Sequence, residues 1–136
     1  MADIKLPYGK GYLDVEIPDD RLNAVLVPDI HNYKPKSSQT ELVKQALESP
    51  IAFPRLRELA RNKNKIVIIA SDHTRPVPSK IIMPLILDEI RQGNPNADIT
   101  ILIATGFHRG TTTDELNAKF GHDIVANEKI YVHDSY

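Results

Sequence analysis

Lys65-Ile66-Val67-Ile68-Ile69-Ala70, followed at once by Ser71-Asp72-His73-Thr74-Arg75-Pro76, is the stretch on which the fold of this chain turns. An apolar, β-branched run without alternation is what a central parallel strand covered on both faces requires. Asp98-Ile99-Thr100-Ile101-Leu102-Ile103-Ala104 repeats the design and runs into Thr105-Gly106-Phe107-His108-Arg109-Gly110, and Lys129-Ile130-Tyr131-Val132-His133 is a weaker third copy. Residues 78–92 and 112–120 between them carry helical patterns, each ending at a glycine. Strand, helix, strand, helix, strand predicts an α/β fold: a doubly wound, Rossmann-like parallel sheet with flanking helices and right-handed crossovers. Such sheets bind ligands in the crevice outside the carboxyl ends of their strands, where both polar loops fall.

Working outward, residues 1–30 read as a small antiparallel β region: Asp3 to Pro7, a turn at Gly9-Lys10-Gly11, an alternating Tyr12 to Ile17, and a further strand over residues 23–27. Residues 31–63 read as a helical connector. Ser38 and Glu41 have capping-box spacing, the helix they open stops before Pro50, and a second helix over residues 54–61 starts on Pro54. Arg55, Arg57 and Arg61 on that second helix read as a solvated face. Residues 64–136 form the βαβαβ core of what reads as one α/β domain, 1–136. Pro84 sits inside the third helical stretch and predicts a kink or a late helix start. Thr112 and Glu115 have capping-box spacing and Gly121 supplies the stop.

The bulk numbers fit a globular chain. Its 136 residues suit one domain, and 41% hydrophobic with 26% charged residues is ordinary for a packed protein. Seventeen basic against eighteen acidic residues leave a net charge of −1, so no basic field points to nucleic acid or an anionic membrane. The absence of cysteine removes disulfide, zinc-thiolate, iron–sulfur and thiol-nucleophile chemistry and is compatible with a reducing cytoplasm. No signal peptide or membrane span is read, and a cytoplasmic protein acting on a small molecule is expected. No Gly-x-Gly-x-x-Gly, Gly-Lys-Ser/Thr or Gly-x-Ser-x-Gly motif occurs, which disfavours dinucleotide, P-loop and serine-hydrolase functions.

Three side chains carry the chemistry. The Arg75 guanidinium, on a proline-restricted loop, suits bidentate binding of a carboxylate or phosphate. Asp72 can orient Arg75, accept a substrate hydroxyl, fix a histidine tautomer, or simply staple the loop to Arg75. His108, flanked by Gly106 and Gly110, is the candidate proton carrier, since an imidazole exchanges a proton near neutral pH. Arg109 reads as a salt-bridge partner or a ligand contact. His31, His73, His122 and His133 read as locally bonded or solvated imidazoles, and no metal-ligand spacing is present. The helix start at Gly110 to Thr113 offers free N–H groups and hydroxyls that can hold an anion, with Thr111 and Thr112 as the binding residues.

SDHTRPVPSKIIMPLILDEI at residues 71–90 and ATGFHRGTTTDEL at residues 104–116 resemble the amino-terminal part of the lactate racemase family, enzymes that use a nickel-pincer nucleotide. The resemblance extends over most of the chain and is sharpest over residues 65–116. It implies that Asp72 and Arg75 orient the site and bind a substrate carboxylate. It implies too that His108 is one of two histidines exchanging the hydroxyl proton while hydride moves to and from the pincer ring. The implied reaction is racemisation or epimerisation of a 2-hydroxy acid or sugar acid through a keto intermediate. Phe107 stands at the variable position of the second loop and bears on substrate choice. Thr111 and Thr112 are expected to receive the cofactor phosphate. The family's pincer-bearing lysine, nickel-ligating histidine and second acid/base histidine lie downstream; Lys129 and His133 do not match them. The chain is therefore expected to be the amino-terminal part of a longer two-domain protein, inactive and without cofactor when alone, completed by a carboxyl-terminal domain and compatible with a homo-oligomer. The alternative is a non-catalytic Rossmann-like module that binds an anionic metabolite or a partner chain through Arg75 and Arg109.

Overall fold

The computed structural model describes residues 1–136, which divide into two compact units, Met1–Pro35 and Lys36–Tyr136, where the sequence reads as one domain. The boundary lies in the polar, proline-bearing stretch that leads into the first α-helix. In the first unit, β1 (Ala2–Tyr8) and β2 (Gly11–Ile17) pair antiparallel, from Ala2 opposite Ile17 to Tyr8 opposite Gly11. Gly9 takes φ +57° at the first of the two turn residues, a conformation a side chain would strain. The expected third strand at residues 23–27 does not form. The segment is irregular, with Leu26 92% exposed, because β propensity alone cannot hold a strand that finds no partner edge.

The second unit runs α1 (Gln39–Glu48), α2 (Leu56–Ala60), β3 (Lys65–Ser71), α3 (Ser79–Gly93), β4 (Asp98–Ala104), α4 (Thr113–Phe120), α5 (His122–Asn127) and β5 (Lys129–Val132). The three strands are parallel in the order β3-β4-β5. This is the α/β architecture with a parallel sheet, flanking helices and a small antiparallel sheet. Ile99, Ile101 and Ile103 of β4, together with Ile66, Ile68, Ala70, Ile130 and Val132, meet Met83, Leu87 and Ile90 of α3, Leu116 and Phe120 of α4, and Ile124 of α5. Each such side chain, fully buried, contributes roughly 1.5–3 kcal/mol.

Coverage of both sheet faces is corrected. On the side away from these helices Val67, Ile69 and Tyr131 are 58%, 71% and 65% exposed. Strands added in one direction by crossovers of one hand bring successive helices to the same side, so the apolar run of β3 is only half buried here.

Helix boundaries follow local chemistry with three differences. Ser38 caps α1 by accepting from the Glu41 N–H at 3.2 Å. The α2 helix begins at Leu56, after Arg55, two residues later than a start on Pro54 would give. The α3 helix starts at Ser79 and is continuous through Pro84, whose exposed ring removes one hydrogen bond without a late start. Beyond Gly121 (φ +92°) the short α5 forms where the sequence suggests no element.

Arg55 and Arg57 are not a solvated face. Both grip Glu89 of α3, which is 5% exposed, with Arg57 at 2.6 and 2.7 Å and Arg55 at 3.2 and 3.4 Å. The Arg57 bonds hold the Glu89 carboxyl down to about 2, against the opposing effect of burial. Arg61 remains exposed. At the same seam a side chain on Gly93 would lie 1.9 Å from the Arg57 carbonyl oxygen, so α2 and α3 meet only because position 93 has none. No helix is long and apolar enough to cross a membrane.

Candidate functional site

The carboxyl ends of β3 and β4 open onto a cleft of about 500 Å³ whose lining includes Ser71, Asp72, Arg75, Thr105, Phe107 and His108. Parallel pairing sets Ser71 beside Ala104, so the two polar loops leave the sheet side by side. All three residues singled out for chemistry therefore meet in one place.

The first loop is shaped by its own side chains. Asp72 Oδ1 accepts from the Thr74 N–H at 3.1 Å and the Thr74 hydroxyl at 2.7 Å, while the Arg75 N–H donates to the Asp72 carbonyl at 3.4 Å. Aspartate commonly folds the chain back in this way two residues on. Asp72 is 2% exposed, and its other oxygen, Oδ2, lies 2.6 Å from His108 Nδ1. Hydrogen bonds from Thr74 and His108 hold its carboxyl far below the usual range, outweighing the opposing effect of burial. An ionised Asp72 can only accept, so Nδ1 carries the hydrogen and Nε2 is the ring nitrogen left for a ligand. Asp72 thus fixes a histidine tautomer; it forms no bond to the Arg75 side chain.

The second loop turns at Gly106, φ +57°, which lets the His108 N–H reach the Thr105 carbonyl at 3.0 Å. Thr105, 1% exposed, bonds the carbonyl of His133 at 2.9 Å and its Nδ1 at 3.1 Å, tying the end of β5 to this loop. Phe107 lies open on the cleft rim, its ring 5.3 Å from that of Tyr136.

Arg75 and Arg109 are separated by the fold. Arg75 lines the cleft and is in no ion pair, whereas Arg109 is locked bidentately on Glu115 at 2.6 and 2.9 Å. Arg109 is therefore structural, and the two-arginine anchor of a binding module is not formed. Thr111 and Thr112 are also committed within the chain. Thr111 Oγ1 meets His73 Nδ1 at 3.1 Å, and the Thr112 N–H and hydroxyl engage Glu115 in the expected capping box. The Glu115 carboxylate caps the helix start beside these two threonines. His73 is locally bonded, while His31 and His122 are exposed.

Sequence reasoning passed over Thr74, Thr105 and Ser71. Thr74 carried a signal, its spacing of two from an aspartate; Thr105 carried none, since its partner lies in another strand. Ser71 Oγ is enclosed at the cleft without a hydrogen-bond partner.

The family model described as the lactate racemase N-terminal domain matches residues 8–136. The lactate racemase of Thermoanaerobacterium thermosaccharolyticum is 56% identical over 135 residues, covering 99% of this chain and 32% of that protein. The lactate racemase of Lactiplantibacillus plantarum is 49% identical over 133 residues, covering 98% of this chain and 31% of that protein. The solved structure of the lactate racemase apoprotein from T. thermosaccharolyticum superposes with a TM-score of 0.85 at 54% identity, over 98% of this chain and 30% of that one. The chain spans about a third of the length of the curated relatives it matches.

Proposed function

The chain belongs to the lactate racemase N-terminal domain family, and on that premise we propose that it supplies the carboxylate anchor and one proton carrier of a racemase or epimerase acting on a 2-hydroxy acid. The observation that carries the proposal is the buried, ionised Asp72 bonded to His108 Nδ1 at 2.6 Å on the same cleft as the unpaired Arg75. Arg75 holds the substrate carboxylate through two parallel N–H donors. His108 Nε2 takes the proton of the adjacent hydroxyl as the carbon gives up hydride, and Asp72 stabilises the imidazolium so formed. The product of that half-reaction is a planar 2-keto acid. Return of hydride to one face or the other gives either enantiomer, with His108 returning the proton for one and the second acid/base histidine, expected outside these residues, for the other. Phe107 forms the apolar rim against which the substituent on the hydroxy carbon packs.

The hydride acceptor of the family's full-length enzymes is a nickel-pincer nucleotide, and the residues here do not fit its metal. No group of three histidine, cysteine, aspartate or glutamate side chains converges. The Asp72 oxygens are spent on Thr74 and His108, and the one orphaned atom, Ser71 Oγ, is a poor nickel ligand. The metal's ligands and the hydride acceptor belong outside residues 1–136.

The test is interconversion of D- and L-lactate by the full-length, cofactor-loaded protein that carries this domain. His108→Ala and Arg75→Ala are each expected to abolish measurable turnover. A wild-type protein that interconverts neither enantiomer, or a His108→Ala variant at the wild-type rate, would sink the reading.

A further inference from the structure

We propose that Lys119 is a positioning residue that sets where Arg75 stands relative to His108; the proposal rests on the reading above, in which these two residues take the substrate carboxylate and hydroxyl proton. Lys119 lies in the last turn of α4, and its Nζ donates to the main-chain carbonyl oxygen of Arg75 at 3.0 Å. It is the one side chain of another element that bonds the main chain of Arg75. The same oxygen accepts from the Val77 N–H at 2.8 Å, and the Ser79 N–H donates to the Val77 carbonyl at 2.8 Å. Pro76 and Pro78 have no N–H to add; the segment is otherwise held at its ends, where the Arg75 N–H donates to the Asp72 carbonyl and the Pro78 carbonyl accepts from Ile81 and Ile82.

The cost of this contact argues for a purpose. Lys119 is half-buried, has no carboxylate partner, and is pushed below its ordinary pKa by that burial. A lysine has four rotatable carbons with which to carry its ammonium into water, and most do so. Holding it against a lone carbonyl gives up hydration for a single bond.

What the bond connects supplies the purpose. Glu115, four residues earlier and so on the same face of α4, is locked on Arg109, the immediate neighbour of His108. The first turn of α4 is therefore fixed to the proton-carrier loop and the last turn to the anion-anchor loop. One helical turn, about 5.4 Å of rigid backbone, becomes the spacer between anchor and base. Glu115, Lys119, His73 and Arg75 also line a second cleft, which shares Arg75 with the first. In a 2-hydroxy acid the carboxylate and hydroxyl sit on neighbouring carbons, so anchor and base must keep one spacing. Misplacement by about 1 Å is enough to cost rate or affinity heavily.

The experiment uses the full-length, cofactor-loaded enzyme with Lys119→Met and Lys119→Arg. Lys119→Met should raise the KM for lactate about tenfold, as loss of one charged hydrogen bond would, with kcat nearly unchanged, and Lys119→Arg should restore the KM. In parallel, amide hydrogen exchange should quicken over residues 72–79 in Lys119→Met and stay unchanged in β4. Unchanged KM with unchanged exchange overturns the proposal. So does a general loss of protection reaching β4, which would make Lys119 a stability residue only. A wild-type enzyme that racemises no hydroxy acid overturns the functional reading instead, and is told apart because exchange over residues 72–79 still responds to Lys119→Met.

Discussion

Asp72 and His108 stand 36 residues apart in sequence and 2.6 Å apart in space, joined Oδ2 to Nδ1 across the ends of two adjacent parallel strands. The bond works as a pair only because Thr74 occupies the other carboxylate oxygen at 2.7 Å. Asp72 thereby stays ionised while buried, and the imidazole it holds presents Nε2 outward.

Replacing Asp72 with Asn should keep the shape and reverse the tautomer. The amide oxygen can still accept from Thr74, but the amide nitrogen then donates to Nδ1 and moves the imidazole hydrogen to Nε2, where a base needs a lone pair. In the full-length enzyme kcat should fall roughly 10³-fold, the range for a misassigned proton carrier, with KM little altered. A kcat within a few-fold of wild type would remove Asp72 from the proton-transfer machinery.

Arg75→Lys should retain charge and lose the fork. A point-like ammonium cannot hold a carboxylate through two parallel bonds, so KM for lactate should rise at least about tenfold. Steady-state kinetics on both enantiomers checks this, and an equal KM for wild type and variant would place the carboxylate elsewhere.

The Glu89 clamp should make stability depend on acid. Its folded value of about 2 lies below the ordinary 4.5, so its contribution is complete above pH 4.5 and is lost as pH falls from there toward 2. Glu89→Gln should flatten that part of the stability curve in urea titrations at several pH values. At neutral pH it should destabilise by roughly 3 kcal/mol, the low end for breaking a buried pair, because both guanidiniums keep about a third of their surface in water.

Gly93→Ala places a methyl group 1.9 Å from the Arg57 carbonyl, which is main chain and cannot swing aside. The helices α2 and α3 must part, at a cost of about 1–3 kcal/mol or more. Denaturant midpoints should fall accordingly, although alanine is otherwise the better helix former.

On the proposed division of labour, in which the hydride acceptor is held outside residues 1–136, the chain by itself should not interconvert lactate enantiomers. Turnover accompanied by retained nickel in that chain would contradict the division of labour proposed here.

Features that depend on near neighbours were legible in the sequence. The β-branched runs became β3, β4 and β5; Thr112 and Glu115 formed their capping box; and the two polar loops fell at the strand ends because that is where βα units place their turns. Asp72, Arg75 and His108 could be named because each sits immediately beyond such a run. The larger failures were long-range. The composition of β3 is that of a strand with two buried faces, yet strand order left Val67 and Ile69 exposed. Residues 23–27 have strand propensity and found no edge. Arg55 and Arg57 were charges on a short helix until α3 brought Glu89 between them. Arg75 and Arg109 are indistinguishable as residue types, and only the docking of α4 decided that Glu115 would take one and Lys119 would hold the loop of the other. Periodicity, capping and turns are written in neighbouring residues, so the sequence by itself determined them. Which cation is spent, which face is covered and which aspartate meets which histidine depend on contacts between distant segments, and those exist only once the chain has folded.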